Sequence, residues 1–366
     1  MPYYNRDFLT QDPAGERTLE RLLALRSRLD DPVYGVPPRS QETTLLLATW
    51  NLRDFDKPAY GRRSEEAIHY IAEVVARFDM IALQEIYRDL EALERLMRLL
   101  GGHWSYLVTD TGEGQAANNE RLAFLYDTRK VNFAGLAGEI VLPPIKIDGE
   151  LRQPRQLVRT PYIAGFRSAW TDFVLCTVHI LYGSSNPNHP ARVEEIRQLA
   201  RFLKDRSTDP AAWSRNLIVL GDFNIFSNRD ITMQALLDEG FLIPAELQSI
   251  PGSNVPRNKH YDQIAFRVRP DRLNTTGKAG VFDIFDVVYR DEDEPLYIDE
   301  MGARYHTTSE GKPRQNPSQY YRTYWRTHQI SDHLPMWVEL RINYTEPYLN
   351  RLLEEWQKKT TDSRPE

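Results

Sequence analysis

Short apolar runs recur along the chain, and each stops on a polar cluster. Such runs, bounded by turn residues, read as buried strands. They are predicted at 44–50, 79–84, 104–109, 121–127, 131–142, 158–166, 173–179, 217–221, 261–268 and 334–342. Elsewhere apolar residues return three and four positions apart, the spacing of a helix with one buried face. That spacing predicts helices at 14–30, 64–78 with Ser64 as its cap, 89–100 ending at Gly101-Gly102, 190–206, 230–239 and 346–358. The first carries Leu19, Leu22, Leu23, Leu25 and Leu29; the last carries Leu349, Leu352, Leu353 and Trp356. Several strands follow one another with no helix between them. A purely parallel, doubly wound sheet is therefore not expected, and a two-sheet core flanked by helices fits better.

Two segments break the pattern. Residues 109–120 are Gly- and Asn-rich and read as a loop. Residues 290–330 begin acidic, at Asp291-Glu292-Asp293-Glu294, and turn basic and aromatic at Lys312, Arg314, Tyr320, Tyr321, Arg322, Tyr324, Trp325, Arg326 and His328. Arginines among aromatics suit phosphate pairing and base stacking. They equally suit a long surface loop anchored on the core by its rings.

The 366 residues leave room for two domains, although layered α/β folds of this size are often single. No apolar run approaches the roughly 18 residues of a membrane span. The first residues lack the basic and apolar regions of a signal peptide, so a cytoplasmic location is expected. The single cysteine, Cys176, excludes an intramolecular disulfide. A net charge of −6 argues against coating nucleic acid with the whole surface, but not against local phosphate contacts. The oligomeric state is not readable.

The polar clusters carry the chemistry. They are Thr49-Trp50-Asn51, Gln84-Glu85, His179, Gly221-Asp222-Phe223-Asn224 and Ser331-Asp332-His333. One alone would be a strand running into a turn; several suggest strands delivering groups to one place. The oxygens of Glu85, Asp332 and Asn51 suit Mg²⁺, with Mn²⁺ as a substitute, better than zinc. His333 could act as a general base on water, oriented by Asp262; His179 could serve a phosphate or leaving oxygen, oriented by Glu120. Asp222 and Asn224 straddle Phe223 and would share a side in extended backbone. Arg53 and Arg159 could pair with phosphate. Each has a plainer reading: Asp332-His333 as a turn, Asn51 as a cap, Arg53 and Glu120 as solvated charges.

Together these stretches, with Leu83-Gln84-Glu85-Ile86, Tyr261-Asp262-Gln263-Ile264 and Ser331-Asp332-His333-Leu334-Pro335, resemble the endonuclease/exonuclease/phosphatase superfamily over about residues 44–342. Within it the nearest likeness is to the pancreatic-type deoxyribonuclease I branch, on Asn51-Leu52-Arg53-Asp54-Phe55, Glu120-Arg121-Leu122-Ala123-Phe124-Leu125, Val158-Arg159-Thr160-Pro161 and Phe282-Asp283-Ile284-Phe285. The resemblance implies a four-layer α/β sandwich: two mixed β-sheets face to face, helices outside. It implies an N-terminal helical extension at 1–43, a catalytic domain at 44–343, and a C-terminal helix and tail at 344–366. It implies Asn51, Glu85 and Asp332 as metal ligands and His179 and His333 as the acid–base pair. Glu120 and Asp262 would orient them, Asp222 and Asn224 would serve metal, phosphate or water, and Arg53 and Arg159 would touch DNA phosphate. The reaction implied is Mg²⁺-dependent hydrolysis of a phosphodiester, most simply in DNA, and a structural Ca²⁺ stays open.

The sequence departs from that branch. Its cysteines are missing, Gln115 to Asn119 stand where a groove-inserting tyrosine would be, and 290–330 and both terminal helices exceed the family core. Three functions therefore compete. A nuclease on DNA or RNA is favoured by the Arg–aromatic stretch at 312–328. A phosphoesterase of the same fold on a lipid, inositol phosphate or nucleotide is the alternative. A binding module with a dead site is opposed by the full set of ligand and histidine positions.

Overall fold

Alternate side chains of the first strand enter two different apolar cores. The structure, a computed structural model, describes residues 2–111, 119–269 and 272–362. Its strands, in chain order, are β1 (Thr44–Phe55), β2 (Met80–Tyr87), β3 (Trp104–Val108), β4 (Glu120–Asp127), β5 (Asn132–Glu139), β6 (Ile145–Ile147), β7 (Glu150–Arg152), β8 (Tyr162–Ser168), β9 (Thr171–His179), β10 (Leu217–Asp222), β11 (Asp262–Arg267), β12 (Asn274–Val281) and β13 (Met336–Arg341). On β1, Leu45 and Leu47 face a core shared with Phe166, Leu175 and Val219 of the other sheet. Leu46, Ala48 and Trp50 face a core shared with Ile68 and Leu96 of the covering helices. β2 divides the same way, Met80 and Ala82 against Ile81 and Leu83. A strand buried on both faces reads as an unbroken apolar run, and that is why these strands stood out.

Two mixed sheets result, β12-β13-β1-β2-β4-β3 and β11-β10-β9-β8-β5, with a small β6-β7 ribbon beside them. Each large sheet holds one parallel pair, β1 with β2 and β9 with β10. Helices Gly15–Leu29, Glu65–Val75 and Glu91–Leu100 cover the first sheet. Helices Pro190–Thr208 and Ile231–Leu237 add their apolar faces to the second. This is the four-layer sandwich expected. No helix among the described residues is long and apolar enough to cross a membrane.

The boundaries differ in instructive places. The strand expected at 158–166 begins only at Tyr162, after Pro161, which cannot donate to the ladder. β1 runs past its expected end at Trp50 to Phe55, through a shift of register between Asn51 and Phe55. β12, an edge strand with mostly short polar side chains, escaped the pattern altogether. Segment 290–330 is not a loop. Short helical pieces fill it, and two of them, Asp291–Tyr297 and Tyr321–Trp325, bury Tyr297, Tyr321 and Trp325 in the core of the first sheet. The helix Gly15–Leu29 buries Leu22, Leu25 and Leu29, while Leu19 and Leu23 face outward. On the last helix, Thr345–Asp362, Leu349, Leu352, Leu353 and Trp356 are all exposed.

Candidate active site

The two parallel pairs end side by side, and their registers set the site. Asn51 stands opposite Gln84; Asp222 stands opposite both His179 and Asp262. The sheets are joined behind it by a polar link, Gln84 donating to Thr177 Oγ1 at 2.9 Å. At the strand ends the backbone turns left-handed: φ is 42° at Arg53, 47° at Asp54, 60° at Glu85 and 53° at Asn224. Such conformations are costly for non-glycine residues and persist where surrounding structure enforces them. At Glu85 the turn coincides with an irregularity in β2–β4 pairing, the device by which a strand re-aims a side chain.

Two buried histidines define the centre. His333 Nδ1 is 2.7 Å from Asp262 Oδ2, which accepts a second hydrogen bond from Ser253 Oγ at 2.6 Å. His179 Nδ1 is 3.2 Å from Glu120 Oε2. Each imidazole thus has one nitrogen held by a carboxylate. The free Nε2 atoms converge on one oxygen, Asp222 Oδ2, at 3.5 Å from His179 and 3.8 Å from His333. Burial disfavours charge on both rings, yet they diverge. His179 is pushed down to about 4, by burial and then by the nearby Arg159 cation. His333 is lifted well above the ordinary imidazole value, because Asp262 and Asp222 outweigh its burial. The ring expected to act as base is the one that holds a proton when no metal is bound.

The expected metal ligands are unevenly placed. Asn51 is fully buried and donates from Nδ2 to Glu85 Oε1 at 2.8 Å and Asp222 Oδ2 at 3.1 Å. Its Oδ1 accepts the Arg53 N–H at 2.9 Å, so ligation would use that oxygen's second lone pair. Glu85 is partly open, and its Oε2 accepts the Asp54 N–H at 2.7 Å. Asp332 lies at the rim, its side chain 47% exposed and 3.6 Å from Arg53 Nε. Two acidic–histidine groups, Glu85/Glu120/His179 and Asp222/Asp262/His333, bring their ligand atoms within 4.8 Å. In each, one carboxylate is already engaged on an imidazole Nδ1, which orients the ring rather than leaving both groups to a metal. The donors on Asn51, Glu85 and Asp332 are all oxygen, a set that fits a hard divalent cation.

Two expectations change, for Asn224 and Arg159, and Arg53 keeps its place at the rim. Asn224 is not in extended backbone, so it does not share a side with Asp222; its Nδ2 donates to Ile180 O at 2.8 Å and its N–H to Asp222 Oδ1 at 2.8 Å. Arg159, expected at phosphate, is largely buried and ion-paired with Glu120. Arg53 is bound by Thr327 Oγ1 and by Thr323 O at 3.4 Å, with part of its guanidinium open. Residues 115–118, in the stretch where the groove-inserting tyrosine would be, lie outside the described residues.

Other residues position the site without having been assigned a role from the sequence. Ser331 Oγ donates to Asn51 O at 2.6 Å, and Trp50 Nε1 to His333 O at 2.8 Å, fastening the last strand to the first. Arg63 is buried and donates to the carbonyls of Leu52, Arg53, Gln329 and Ile330. Arg192 does the same for Leu181, Tyr182, Ser184, Asn186 and Pro187 after His179. Each arginine fixes a site loop through main-chain oxygens, which any residues would supply.

A sequence model described as the Endonuclease/Exonuclease/phosphatase family matches residues 48–333. No curated protein matches the sequence. Among solved structures, a functionally unknown conserved protein from Enterococcus faecalis V583 is similar with a TM-score of 0.51 at 16% identity, covering 82% of this chain and 100% of its own. D. rerio TDP2 complexed with a single-strand DNA product is similar with a TM-score of 0.50 at 13% identity, covering 81% and 98%. At these identities the likeness is one of fold.

Proposed function

Since the chain belongs to the Endonuclease/Exonuclease/phosphatase family, we propose that it is a divalent-metal-dependent phosphodiesterase acting on nucleic acid, most simply an endonuclease on DNA. The observation that carries this is the convergence of two carboxylate-held imidazoles on Asp222 beside the partly open Glu85. Two buried, oriented proton-transfer groups facing one point suit in-line displacement, in which one oxygen loses a proton as another gains one. A divalent cation held by Glu85, with Asn51 and Asp332 beside it, would supply charge neutralisation at the phosphate. His179 and His333 form the acid–base pair, Glu120 and Asp262 fix their tautomers, and Asp222 holds the attacking water between the two rings. Asn224 holds the loop that follows β10, and Arg53 meets a phosphate oxygen at the rim. By this reading residues 44–343 are the catalytic domain, 1–43 an added helical layer and 344–366 a terminal helix and tail.

The test is supercoiled plasmid with Mg²⁺ or Mn²⁺, beside EDTA and His333→Ala controls. Nicking that both controls abolish supports the proposal. Hydrolysis of bis-p-nitrophenyl phosphate without plasmid cleavage moves the substrate to a small or lipid phosphodiester. Hydrolysis of neither overturns the enzyme.

A further inference from the structure

Segment 290–330 divides its aromatic residues by helical spacing. Tyr321 and Trp325, four apart, turn into the core. Tyr320, Tyr324 and His328, also four apart, form a second row, in which Tyr320 is buried with the same core, His328 is buried and Tyr324 is exposed. That row is joined to the active site. Arg53 lies 6.0 Å from the Tyr324 ring, and its Nη1 donates to Thr323 O at 3.4 Å. From Tyr324, more than a third exposed, rings continue both ways. His328 is 4.4 Å away and stacks on Tyr60 at 4.2 Å. Tyr320 is stacked at 5.3 Å, with the Arg314 guanidinium 4.1 Å over its other side.

Beside this row lies a cleft of about 720 Å³, walled by Tyr320 and Tyr324, by Arg304 and Arg314, and by hydroxyls including Thr308 and Ser309. Among the described residues, none that lines it is acidic. Two guanidiniums, several hydroxyls and the exposed part of the Tyr324 ring exclude a cation site. They match a ligand that offers phosphate and a flat base together. A row of rings leading from Arg53 to a separate arginine-flanked cleft fits a ligand long enough to occupy both.

We infer that this cleft is a second subsite, holding the continuation of a single-stranded nucleic acid whose scissile phosphate lies at the two histidines. This rests on the nucleic-acid reading proposed above. A base stacks on Tyr324, and a neighbouring phosphate meets Arg304. The subsite is built by segment 290–330, so strand choice is set apart from the residues that do the chemistry.

Binding is measured in EDTA, so that no cleavage is needed, by anisotropy of a labelled oligothymidylate within the roughly 4–16 nucleotides of a typical single-strand site. Arg304→Glu and Tyr324→Ala should each weaken binding roughly tenfold, Tyr324→Phe should restore it, and Arg304→Ala should reduce the salt slope by about one. Circular dichroism confirms that the variants fold. Unchanged affinity in both Arg304→Glu and Tyr324→Ala, or no binding by the parent protein, overturns the subsite. Cleavage of the same oligonucleotide with Mg²⁺ is scored separately. Cleavage with affinities unaltered by the variants sinks the subsite and spares the enzyme. Variant-sensitive binding without cleavage sustains the subsite and sinks the nuclease.

Discussion

The two histidine–carboxylate pairs look alike in outline and differ in what stands behind the carboxylate. Behind Asp262 is a neutral hydroxyl, Ser253. Behind Glu120 is a cation, Arg159. Asp262 therefore spends its charge on His333, whose pKa rises. Glu120 shares its charge with Arg159, and His179, under burial and that same cation, falls to about 4. A carboxylate beside a histidine does not by itself raise the ring's basicity: at His179 burial, and after it the Arg159 cation, outweighs the acids around the ring. The two rings so shift in opposite directions.

The strongest test of this contrast removes the rings. His179→Ala and His333→Ala should each lower phosphodiester hydrolysis by about 10²–10⁴-fold, measured as kcat with saturating Mg²⁺. If they act on one displacement, the double variant loses far less than the product of the two. Either single variant within threefold of the parent would break the idea of a shared task.

The next test exchanges the carboxylates. Asp262→Asn should cost about 10⁴-fold in kcat with a small change in thermal midpoint, since the tautomer is lost but a neutral partner remains. Glu120→Gln strands the buried Arg159 and should cost about 3–5 kcal/mol of stability by denaturant unfolding. Equal unfolding midpoints for the two variants would contradict the asymmetry.

Arg159→Met sharpens it further. In metal-free protein the His179 titration, followed by NMR, should move up from about 4 while His333 stays put. Stability follows. The unfolded ring titrates near 6.5, above the folded value, so His179 makes the protein lose stability as pH falls from about 6.5 towards about 4. His333, raised instead, contributes stability at low pH that is lost as pH climbs through its folded value. Arg159→Met should shrink the acid-side loss; an unshifted His179 resonance would refute the role given to the cation. The smallest effect is expected from Ser253→Ala, about 1 kcal/mol of stability and a few-fold in kcat.

The fold was legible where burial is two-sided. β1, β2, β9 and β10 read as unbroken apolar runs, and the residues ending them, Asn51, Glu85, His179 and Asp222, do meet. β12 was not legible, because an edge strand of Thr, Gly and Asn leaves no pattern. Nor was the fate of the arginines. Arg159, Arg63 and Arg192 look like surface cations in a sequence, and only tertiary contacts show each buried on a carboxylate or on carbonyls. Asn224 misled for a local reason: alternation assumes extended backbone, and its left-handed φ ends the alternation one residue early. Ser253 lies nine residues before Asp262 in a turn that no periodicity marks.

The helix Gly15–Leu29 bears on how the chain folds as it is made. Arg21 pairs with Asp293 and Arg28 with Asp286, partners 272 and 258 residues further on. Leu22 and Leu25 can settle on helix Glu65–Val75 soon after both emerge. The charges cannot find their partners until nearly the whole chain has been synthesised, roughly 15–60 s later at about 5–20 residues per second. The helix Gly15–Leu29 therefore completes these charge pairs only once residues 286–293 have been made and the segment that flanks the active site can dock on it.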